Sequence, residues 1–344
     1  MSSYAFWNNK GGVGKSFLCY FSAAEYAEKH PETDVYVIDL CPQANVSETI
    51  LGGQLTGSKA LDGLTSRTPR CTIAGYLEAR LSSPFQLIKE VTPYVSDPFR
   101  SNKKVPHNLR LICGDNLVEL LSEAIRQASQ LALPSDSWKR VQLWVADLVG
   151  QLRLLSGTRD SIFFIDCNPS FSVYTQQALL AADSVVVPFT PDDSSRRGVS
   201  NVAALLYGIV EEKNSAYSRL SFSGRAREFG VSLPKLRFFV NNRVTIYEGE
   251  PSKAFAAASK AIKGTVDKLF ARKRSIFYDA SQKPSDGFFD IPDNHSANIV
   301  SALSGTPLHK LKAGPHEILG ERIQVNNAPL VRYKKALSKF VDAL

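Results

Sequence analysis

The stretch Asn8-Asn9-Lys10-Gly11-Gly12-Val13-Gly14-Lys15-Ser16 follows a short apolar run and opens a helical pattern. Glycines at these positions let backbone N–H groups close around phosphate oxygens, and a helix that starts here points the positive end of its dipole at them. Lys15 is placed to reach the β- and γ-phosphates of a nucleotide, and the Ser16 hydroxyl to ligate Mg²⁺. We therefore predict a site for a nucleoside triphosphate with Mg²⁺, with ATP as the expected ligand. Its predicted binding residues in this loop are Gly11, Gly12, Val13, Gly14, Lys15, Ser16 and Phe17.

The loop departs from the general phosphate-loop pattern G-x-x-x-x-G-K-[ST], because Asn9 stands where that pattern has its first glycine. It follows the variant K-G-G-x-G-K-[ST] instead, in which Lys10 adds a second lysine. A chance glycine-rich turn is the alternative, but it does not account for the strand before the loop and the helix after it.

A second segment points to the same site. Ser161–Asp166 is an apolar strand that ends in a carboxylate, as a Walker B strand does. Asp166 would hold Mg²⁺ through water at the carboxyl end of the sheet, where ligands bind in open α/β folds. Such a strand is weak evidence by itself, and it gains weight beside the glycine-rich loop.

Composition sets the class of protein. The 344 residues are 44% hydrophobic and 22% charged, which is ordinary for a soluble globular protein. No run approaches the roughly 18 apolar residues of a membrane span, and the N-terminus lacks the basic-then-apolar order of a signal peptide. The five cysteines are odd in number and form no CxxC pair, which argues against disulfides, zinc and iron–sulfur clusters. We therefore expect a cytoplasmic location.

The order of patterns predicts an α/β fold with a doubly wound, mostly parallel sheet flanked by helices. The predicted strands are Tyr4–Trp7, Val35–Asp39, Leu109–Ile112, Ser161–Asp166, Ser184–Pro188 and Leu236–Val240. The predicted helices are Lys15–Lys29, Asn116–Leu131, Trp138–Leu155, Val173–Ala182 and Gly198–Glu211. We predict a single domain over residues 1–344, with irregular insertions at about 52–108 and 213–235. The first insertion is expected to hold one helix near Gly75–Leu81.

Three segments together resemble the ParA/MinD family of deviant Walker ATPases, and ParA more closely. They are Lys10–Ser16, Val37–Asn45 with the sequence Val-Ile-Asp-Leu-Cys-Pro-Gln-Ala-Asn, and Ile165–Ser170 with the sequence Ile-Asp-Cys-Asn-Pro-Ser. Looser matches lie at Ala181–Pro188, Val240–Arg243 and Ile291–Asp293. The resemblance spans almost the whole chain except residues 52–108 and 213–235, and it implies the P-loop NTPase fold and ATP hydrolysis to ADP and phosphate.

The resemblance also assigns roles to single residues. Lys10 matches the signature lysine, which in the family crosses a dimer interface to touch the partner's nucleotide, so that ATP joins two protomers. A second cation would neutralise phosphate charge in a water-poor interface; the alternative is a solvated loop lysine. Asn242 and Arg243 match the Asn-Arg on the adenine side, and Pro292 lies in the loop that usually lines the base.

One departure from the family concerns hydrolysis. The family's second strand normally ends in D-x-D, whose second aspartate orients the attacking water, but here Cys41 follows Asp39 at that position. A thiol accepts hydrogen bonds poorly and carries no reliable charge at neutral pH. We therefore expect slow hydrolysis, with Lys10, Lys15 and Asp39 as the catalytic residues. The alternative is that another residue positions the water and turnover is normal.

The C-terminal quarter, residues 251–344, is basic, with 15 Lys and Arg against 8 Asp and Glu, out of totals of 41 and 33. A helix here would place cations on one face and apolar residues on roughly the opposite face. Such a face suits nonspecific contacts with DNA phosphates, although a merely solvated face is the alternative. The predicted DNA-binding residues are Lys253, Lys260, Lys263, Lys268, Arg272 and Arg274.

An apolar stripe at helical spacing ends the sequence, at Leu330, Tyr333, Leu337, Phe340, Val341 and Leu344. MinD proteins use a terminal amphipathic helix to sit on membranes, but such a stripe more often closes the core of its own domain. We favour the core, so a membrane partner is not expected.

The leading hypothesis is a ParA-type ATPase that forms a homodimer through ATP-Mg²⁺ and binds double-stranded DNA nonspecifically. A ParB-like protein or cargo adaptor would stimulate its release, in DNA partition, chromosome segregation or cargo positioning. Its location would then be the cytoplasm, at the nucleoid. Two alternatives stay open: a MinD-like membrane positioning ATPase anchored by residues 328–344, and an ATP-dependent protein-interaction switch with little hydrolysis.

Overall fold

The computed structural model describes residues 2–209, 221–244, 246–247, 250–251 and 253–344. Its strands are β1 (Ser2–Phe6), β2 (Asp34–Asp39), β3 (Leu109–Ile112), β4 (Ser161–Asp166), β5 (Ser184–Phe189), β6 (Lys235–Val244), β7 (Ile246–Tyr247), β8 (Glu250–Pro251), β9 (Phe288–Pro292), β10 (Gly314–Ile318) and β11 (Glu321–Val325).

The helices follow the same order along the chain. They are α1 (Lys15–Lys29), α2 (Asn45–Leu51), α3 (Gly53–Thr65), α4 (Ile73–Ser82), α5 (Leu117–Ala128), α6 (Ser137–Gln142), α7 (Trp144–Leu155), α8 (Val173–Leu180), α9 (Asp193–Tyr207), α10 (Phe222–Glu228), α11 (Lys253–Arg272), α12 (His295–Ser304) and α13 (Asn327–Val341).

A seven-stranded sheet in the order β3-β2-β4-β1-β5-β6-β9 forms the centre of the molecule, and all its neighbouring strands run parallel. Two apolar layers cover its faces. One holds side chains from α4 to α11, and the other holds side chains from α1, α2, α12 and α13. The predicted doubly wound α/β fold is therefore confirmed. The central strands read as unbroken apolar runs because both of their faces are buried.

The register of the sheet brings the three predicted motifs together. Asp39 at the end of β2 pairs with Asp166 at the end of β4, and Phe6 at the end of β1 pairs with Asp166 on the other side. The glycine-rich loop follows β1, so the loop and both carboxylates lie at one edge of the sheet. This is the carboxyl edge, where open parallel sheets bind ligands.

Several elements differ from the sequence prediction. The predicted helix Trp138–Leu155 is two helices, α6 and α7, which meet at Leu143. β9 and the β10–β11 hairpin lie outside the predicted strands. Residues 52–108 are more regular than predicted, since they contain α3 and α4. Of the second predicted insertion, residues 213–220 lie outside the described residues, as does the predicted helix end at Glu211, and α10 occupies part of the rest.

The turn between α2 and α3 packs unusually close to the end of α12. A Cβ on Gly53 would lie 2.3 Å from the carbonyl oxygen of Leu303. A Cβ on Gly305 would lie 2.6 Å from the Cα of Gly52. Gly53 and Gly305 also have positive φ values of +81° and +63°. Glycine is therefore required on both sides of this contact.

Candidate nucleotide-binding site

The glycine-rich loop has the backbone conformation that phosphate binding needs. Gly12 and Gly14 have φ values of 73° and 82°, in the left-handed region that glycine adopts without steric cost. A Cβ on Gly14 would lie 2.0 Å from the Asn242 side-chain nitrogen. The loop then turns directly into α1, whose first residue is Lys15. The backbone N–H groups of the loop therefore lie at the carboxyl edge of the sheet, beside the positive end of the dipole of a 15-residue helix.

Lys15 points into the loop. Its side chain is buried, and Nζ donates to the carbonyl oxygens of Asn8 at 3.2 Å and Lys10 at 2.9 Å. Burial lowers the pKa of this ammonium group, although Asp166 and two cysteines oppose that shift. An ammonium group held only by carbonyl oxygens gains strongly from an anion, so a phosphate is its natural ligand.

Ser16 and Asp166 form the predicted metal-binding pair. The Ser16 hydroxyl donates to Asp166 Oδ2 at 2.7 Å, while Oδ1 has no hydrogen-bond partner in the described part of the chain. Asp166 is fully buried, and this burial, followed by the charge of Asp39, raises the pKa of its carboxyl to about 8. A hydroxyl and a buried carboxylate with a free oxygen fit Mg²⁺, which takes oxygen ligands and keeps several waters.

No cluster of three His, Cys, Asp or Glu side chains suited to a metal occurs among the described residues. A magnesium site shared with phosphates does not need one, since one or two protein ligands are enough.

Asp39 is fixed by the segment that follows it. Its Oδ1 accepts the Cys41 N–H at 3.0 Å, and its Oδ2 accepts the Ser47 N–H at 3.1 Å and the Ser47 hydroxyl at 2.7 Å. Burial raises the pKa of Asp39 to about 6, against the effect of these bonds. Asp39 therefore positions the start of α2, and both of its oxygens are already engaged.

Cys41 is partly exposed and lines the cleft beside Lys15 and Ser16. Burial, followed by the charges of Asp39 and Asp166, raises the pKa of its thiol to about 12. The side chain at the position where the family has its second aspartate is therefore a neutral thiol at physiological pH.

The cleft next to the loop has a volume of about 550 Å³. Its walls come from α1, from α2 and α3, and from the end of α12, and they include Phe17, Tyr20, Val46, Glu48, Thr49, Gln54, Ala302 and Leu303. Sequence reasoning found Phe17 but missed the other residues in this list. Gln54 lies in a segment predicted to be irregular, and the rest belong to helices whose position beside the loop depends on the tertiary fold. The glycines at 52, 53 and 305 were the available signal, but a contact between distant glycines cannot be read from one sequence.

The three residues predicted on the adenine side lie in different places. Asn242 is buried and donates to the Val13 carbonyl oxygen at 3.1 Å, so it supports the loop from behind. Arg243 is exposed, has a positive φ of 61° and lines the cleft. Pro292 ends β9 and is not among the described residues that line this cleft.

Lys10 is not among the described residues that line the cleft. Its Nζ forms an ion pair with Asp192 Oδ2 at 2.5 Å and donates to the hydroxyls of Thr190 and Ser195 at 3.2 Å each. The predicted signature lysine therefore contacts its own chain in this structure.

The predicted basic helix exists as α11, which begins at Lys253. Lys260, Lys263, Lys268, Arg272 and Arg274 are exposed, and Arg274 lies just beyond the end of the helix. The apolar residues of the opposite face, Ile262, Val266, Leu269 and Phe270, are buried in the core. The helix therefore carries a row of cations on the molecular surface.

Five of the six residues of the C-terminal apolar stripe lie in α13 and face the core, and Leu344 follows the helix and is half-buried. Leu330, Tyr333, Leu337, Phe340 and Val341 are all buried, in the layer that also holds α1. In the described residues, no helix has the length and apolar character needed to cross a bilayer.

Comparisons with known proteins agree with this fold. A family model described as an AAA domain matches residues 136–218. No curated protein matches the sequence. Among solved structures, the chain is similar to apo McdA from Cyanothece, with 14% identity over 98% of this chain and 99% of that chain and a TM-score of 0.55. It is also similar to an ATP complex of a McdA variant from Cyanothece, with 15% identity over 98% and 96% of the two chains and a TM-score of 0.56.

A third similar structure is a putative plasmid partition protein from Borrelia burgdorferi B31 bound to AMPPNP. It shows 17% identity over 100% of this chain and 99% of that chain, with a TM-score of 0.54. At such low identity these similarities establish the fold. The predicted resemblance to the ParA/MinD family is thereby confirmed for the fold.

Proposed function

We propose that this chain is a ParA-like ATPase that binds ATP with Mg²⁺, dimerises through the nucleotide and positions DNA or another cargo. The observation that carries the proposal is the assembly of Lys15, Ser16 and Asp166 at the carboxyl edge of the sheet, with Lys10 on the same loop. The similar structures include an ATP complex of a McdA variant and an AMPPNP complex of a putative plasmid partition protein, which supports the same ligand and role.

In this proposal, different residues bind different parts of the nucleotide and its Mg²⁺. Lys15 and the N–H groups of residues 11–16 bind the phosphates, and the Ser16 hydroxyl with Asp166 would hold Mg²⁺. When bound, Mg²⁺ neutralises charge that develops on the β- and γ-phosphates. Lys10 of each protomer would bind the nucleotide of the other, which makes ATP a bridge between two copies. Arg243, which lines the cleft, would contact the base side of the nucleotide.

Hydrolysis by this site should be slow, because a neutral thiol stands where an acceptor for the attacking water is expected. We predict that Cys41→Asp raises the steady-state turnover of ATP about tenfold, since orienting the nucleophile is a large part of catalysis in phosphoryl transfer. The measurement is phosphate release at saturating ATP and Mg²⁺, in the presence of DNA.

The matched control is Cys41→Asn, which has nearly the shape of aspartate without its charge and should leave turnover low. Equal turnover in the wild type and Cys41→Asp would show that another group positions the water.

DNA binding is proposed to use the exposed cations of α11. We predict that the ATP-bound protein binds a random-sequence duplex and that the triple variant Lys260→Gln, Lys263→Gln and Lys268→Gln binds it more weakly. Losing three phosphate contacts should make the negative slope of log K against log salt shallower by about 2 to 3 and should lower the affinity at least about tenfold. Fluorescence anisotropy with ATP or ADP, over a salt series, measures both quantities.

The control is a second triple variant, Lys59→Gln, Lys89→Gln and Lys312→Gln. It loses the same charge at exposed residues outside α11. If both triple variants lose the same affinity, net charge alone is responsible and α11 is not the DNA-binding surface. Failure of the wild type to bind DNA with either nucleotide would remove the DNA-binding part of the proposal.

If the wild type does not bind DNA, an ATP-dependent protein-interaction switch becomes the leading alternative, and the neutral Cys41 favours it. A MinD-like membrane anchor is less well supported, because the apolar stripe of α13 is already buried against the core. The proposed partners are a second copy of this chain, double-stranded DNA and a ParB-like or adaptor protein, and the proposed location is the cytoplasm at the nucleoid.

A further inference from the structure

Lys10 is satisfied completely within its own chain. An ammonium group has three N–H donors, and Lys10 Nζ has three oxygen partners: Asp192 Oδ2 at 2.5 Å and the hydroxyls of Thr190 and Ser195 at 3.2 Å. We call Thr190, Asp192 and Ser195 the Lys10 acceptor group. These residues come from the β5–α9 connection and the first turn of α9.

The two carboxylate oxygens of Asp192 accept hydrogen bonds from different groups. Oδ1 accepts the Ser195 N–H at 2.8 Å and the Ser194 hydroxyl at 2.7 Å, which caps α9. Oδ2 accepts Lys10 and the Thr190 hydroxyl. Burial opposes ionisation, but the bonds donated by Lys10, Ser194 and Thr190 outweigh it and hold the pKa of Asp192 well below its usual range. The carboxylate is therefore charged at any physiological pH.

The rest of the loop fits against the same region. The Asn8 side-chain amide donates to the Pro188 carbonyl oxygen at 2.8 Å, and its Oδ1 accepts the Lys10 N–H at 3.0 Å. The same Oδ1 lies 3.0 Å from the position of a Cβ on Gly198, in α9. The phosphate loop and the start of α9 are thus closely packed, and the ion pair between Lys10 and Asp192 links them.

From this geometry we infer that the Lys10 acceptor group competes with the second protomer for Lys10 and so restrains dimerisation. The inference rests on the proposed function, in which Lys10 reaches the nucleotide of a partner. While Lys10 Nζ is bound to Asp192, Thr190 and Ser195, it has no donor left for a phosphate. A nucleotide-bridged dimer needs both of its lysines, so two acceptor groups must open for each dimer that forms.

The test is the variant Asp192→Asn, which removes the charge that holds Lys10. Asparagine caps helices as well as aspartate does, so the role of Oδ1 at the start of α9 is kept. The dissociation constant of the dimer is measured by sedimentation velocity over a protein concentration series, with AMPPNP and Mg²⁺. We expect it to fall about five- to tenfold, because a partly exposed ion pair is individually weak and two are lost per dimer.

Asp136→Asn is the matched control. Asp136 has a similarly exposed side chain, 39% against 46% for Asp192, and pairs with Arg140 beside the start of α6. A dimer that tightens equally in this control would reflect net charge and would overturn the inference. An unchanged or weaker dimer in Asp192→Asn would overturn it as well. If the wild type and the variant both stay monomeric, the proposed function itself is contradicted and the inference falls with it.

A second measurement needs no dimer. In the nucleotide-free protein, Lys10 of the wild type should be acetylated slowly by an N-hydroxysuccinimide ester, because Nζ is hydrogen-bonded three times. Asp192→Asn should speed acetylation of Lys10 several-fold and leave Lys29, at the far end of α1, unchanged, as peptide mass spectrometry would show. Equal rates at Lys10 in the two proteins would contradict the restraint directly.

Discussion

Replacing Lys15 with glutamine should weaken ATP binding by at least about 100-fold, or roughly 2.7 kcal/mol. Lys15 Nζ is buried at the mouth of the loop with two carbonyl oxygens as its partners, so it is the cation best placed for the β- and γ-phosphates. A buried, charge-assisted bond to a phosphate is among the strongest single contacts that a protein makes. Isothermal titration with ATP and Mg²⁺ measures the loss.

The folded protein should tolerate this change. A glutamine amide can still donate to the Lys10 or Asn8 carbonyl oxygen, and burial already disfavours the lysine charge. Lys29→Gln, in the last turn of the same helix, is the control, because Lys29 pairs with Glu25 and Asp342 away from the loop. An ATP affinity within about threefold of the wild type in a folded Lys15→Gln protein would show that this loop is not the nucleotide site.

Gly305→Ala should lower the free energy of unfolding by about 3 kcal/mol, a large part of the total stability of an ordinary domain. A positive φ costs a residue with a Cβ about 1 kcal/mol, and here the φ value is +63°. The added Cβ would also lie 2.5 Å and 2.6 Å from the carbonyl carbon and Cα of Gly52. These are backbone atoms, which cannot rotate away as the end of a side chain can.

The variant Gly157→Ala separates the cost of a positive φ from the cost of the steric clash with Gly52. Gly157 has nearly the same φ, +61°, but a Cβ there has no atom within 4 Å. It should therefore cost only about 1 kcal/mol in guanidinium unfolding. Equal losses in the two variants would mean that the contact between the α2–α3 turn and α12 relaxes freely.

The parts of the fold that the sequence predicts are those whose signals are local. The loop at Lys10–Ser16, the strand that ends at Asp166 and the helix Lys15–Lys29 each carry their own pattern, and the structure has them at nearly the predicted bounds. Helix α3 carries a weaker pattern, because Gly53, Gly57 and Gly63 interrupt it and glycine disfavours helices in isolation. It packs on both α2 and α12, and no local signal records these contacts.

In the candidate site, too, some residues could be predicted from local sequence and others depend on the tertiary fold. The residues proposed to hold phosphate and metal were predictable, because the loop Lys10–Ser16 and the strand that ends at Asp166 each carry a local pattern. The engagement of Lys10 by Asp192 was not, since 182 residues separate the two. The position of Asn242 behind the loop likewise depends on the order of the strands, which places β6 beyond β5.

The neutral thiol of Cys41 also bears on how long a nucleotide stays bound. An aspartate at this position would add a carboxylate to the lining of the cleft, near Asp39 and Asp166, and its negative charge would oppose that of a bound triphosphate. In the proposed function, a cleft without this added carboxylate repels the triphosphate less, so we expect slower release of ATP. Together with the proposed slow turnover, this would favour a long residence in the ATP-bound state and would leave the timing of release to a binding partner.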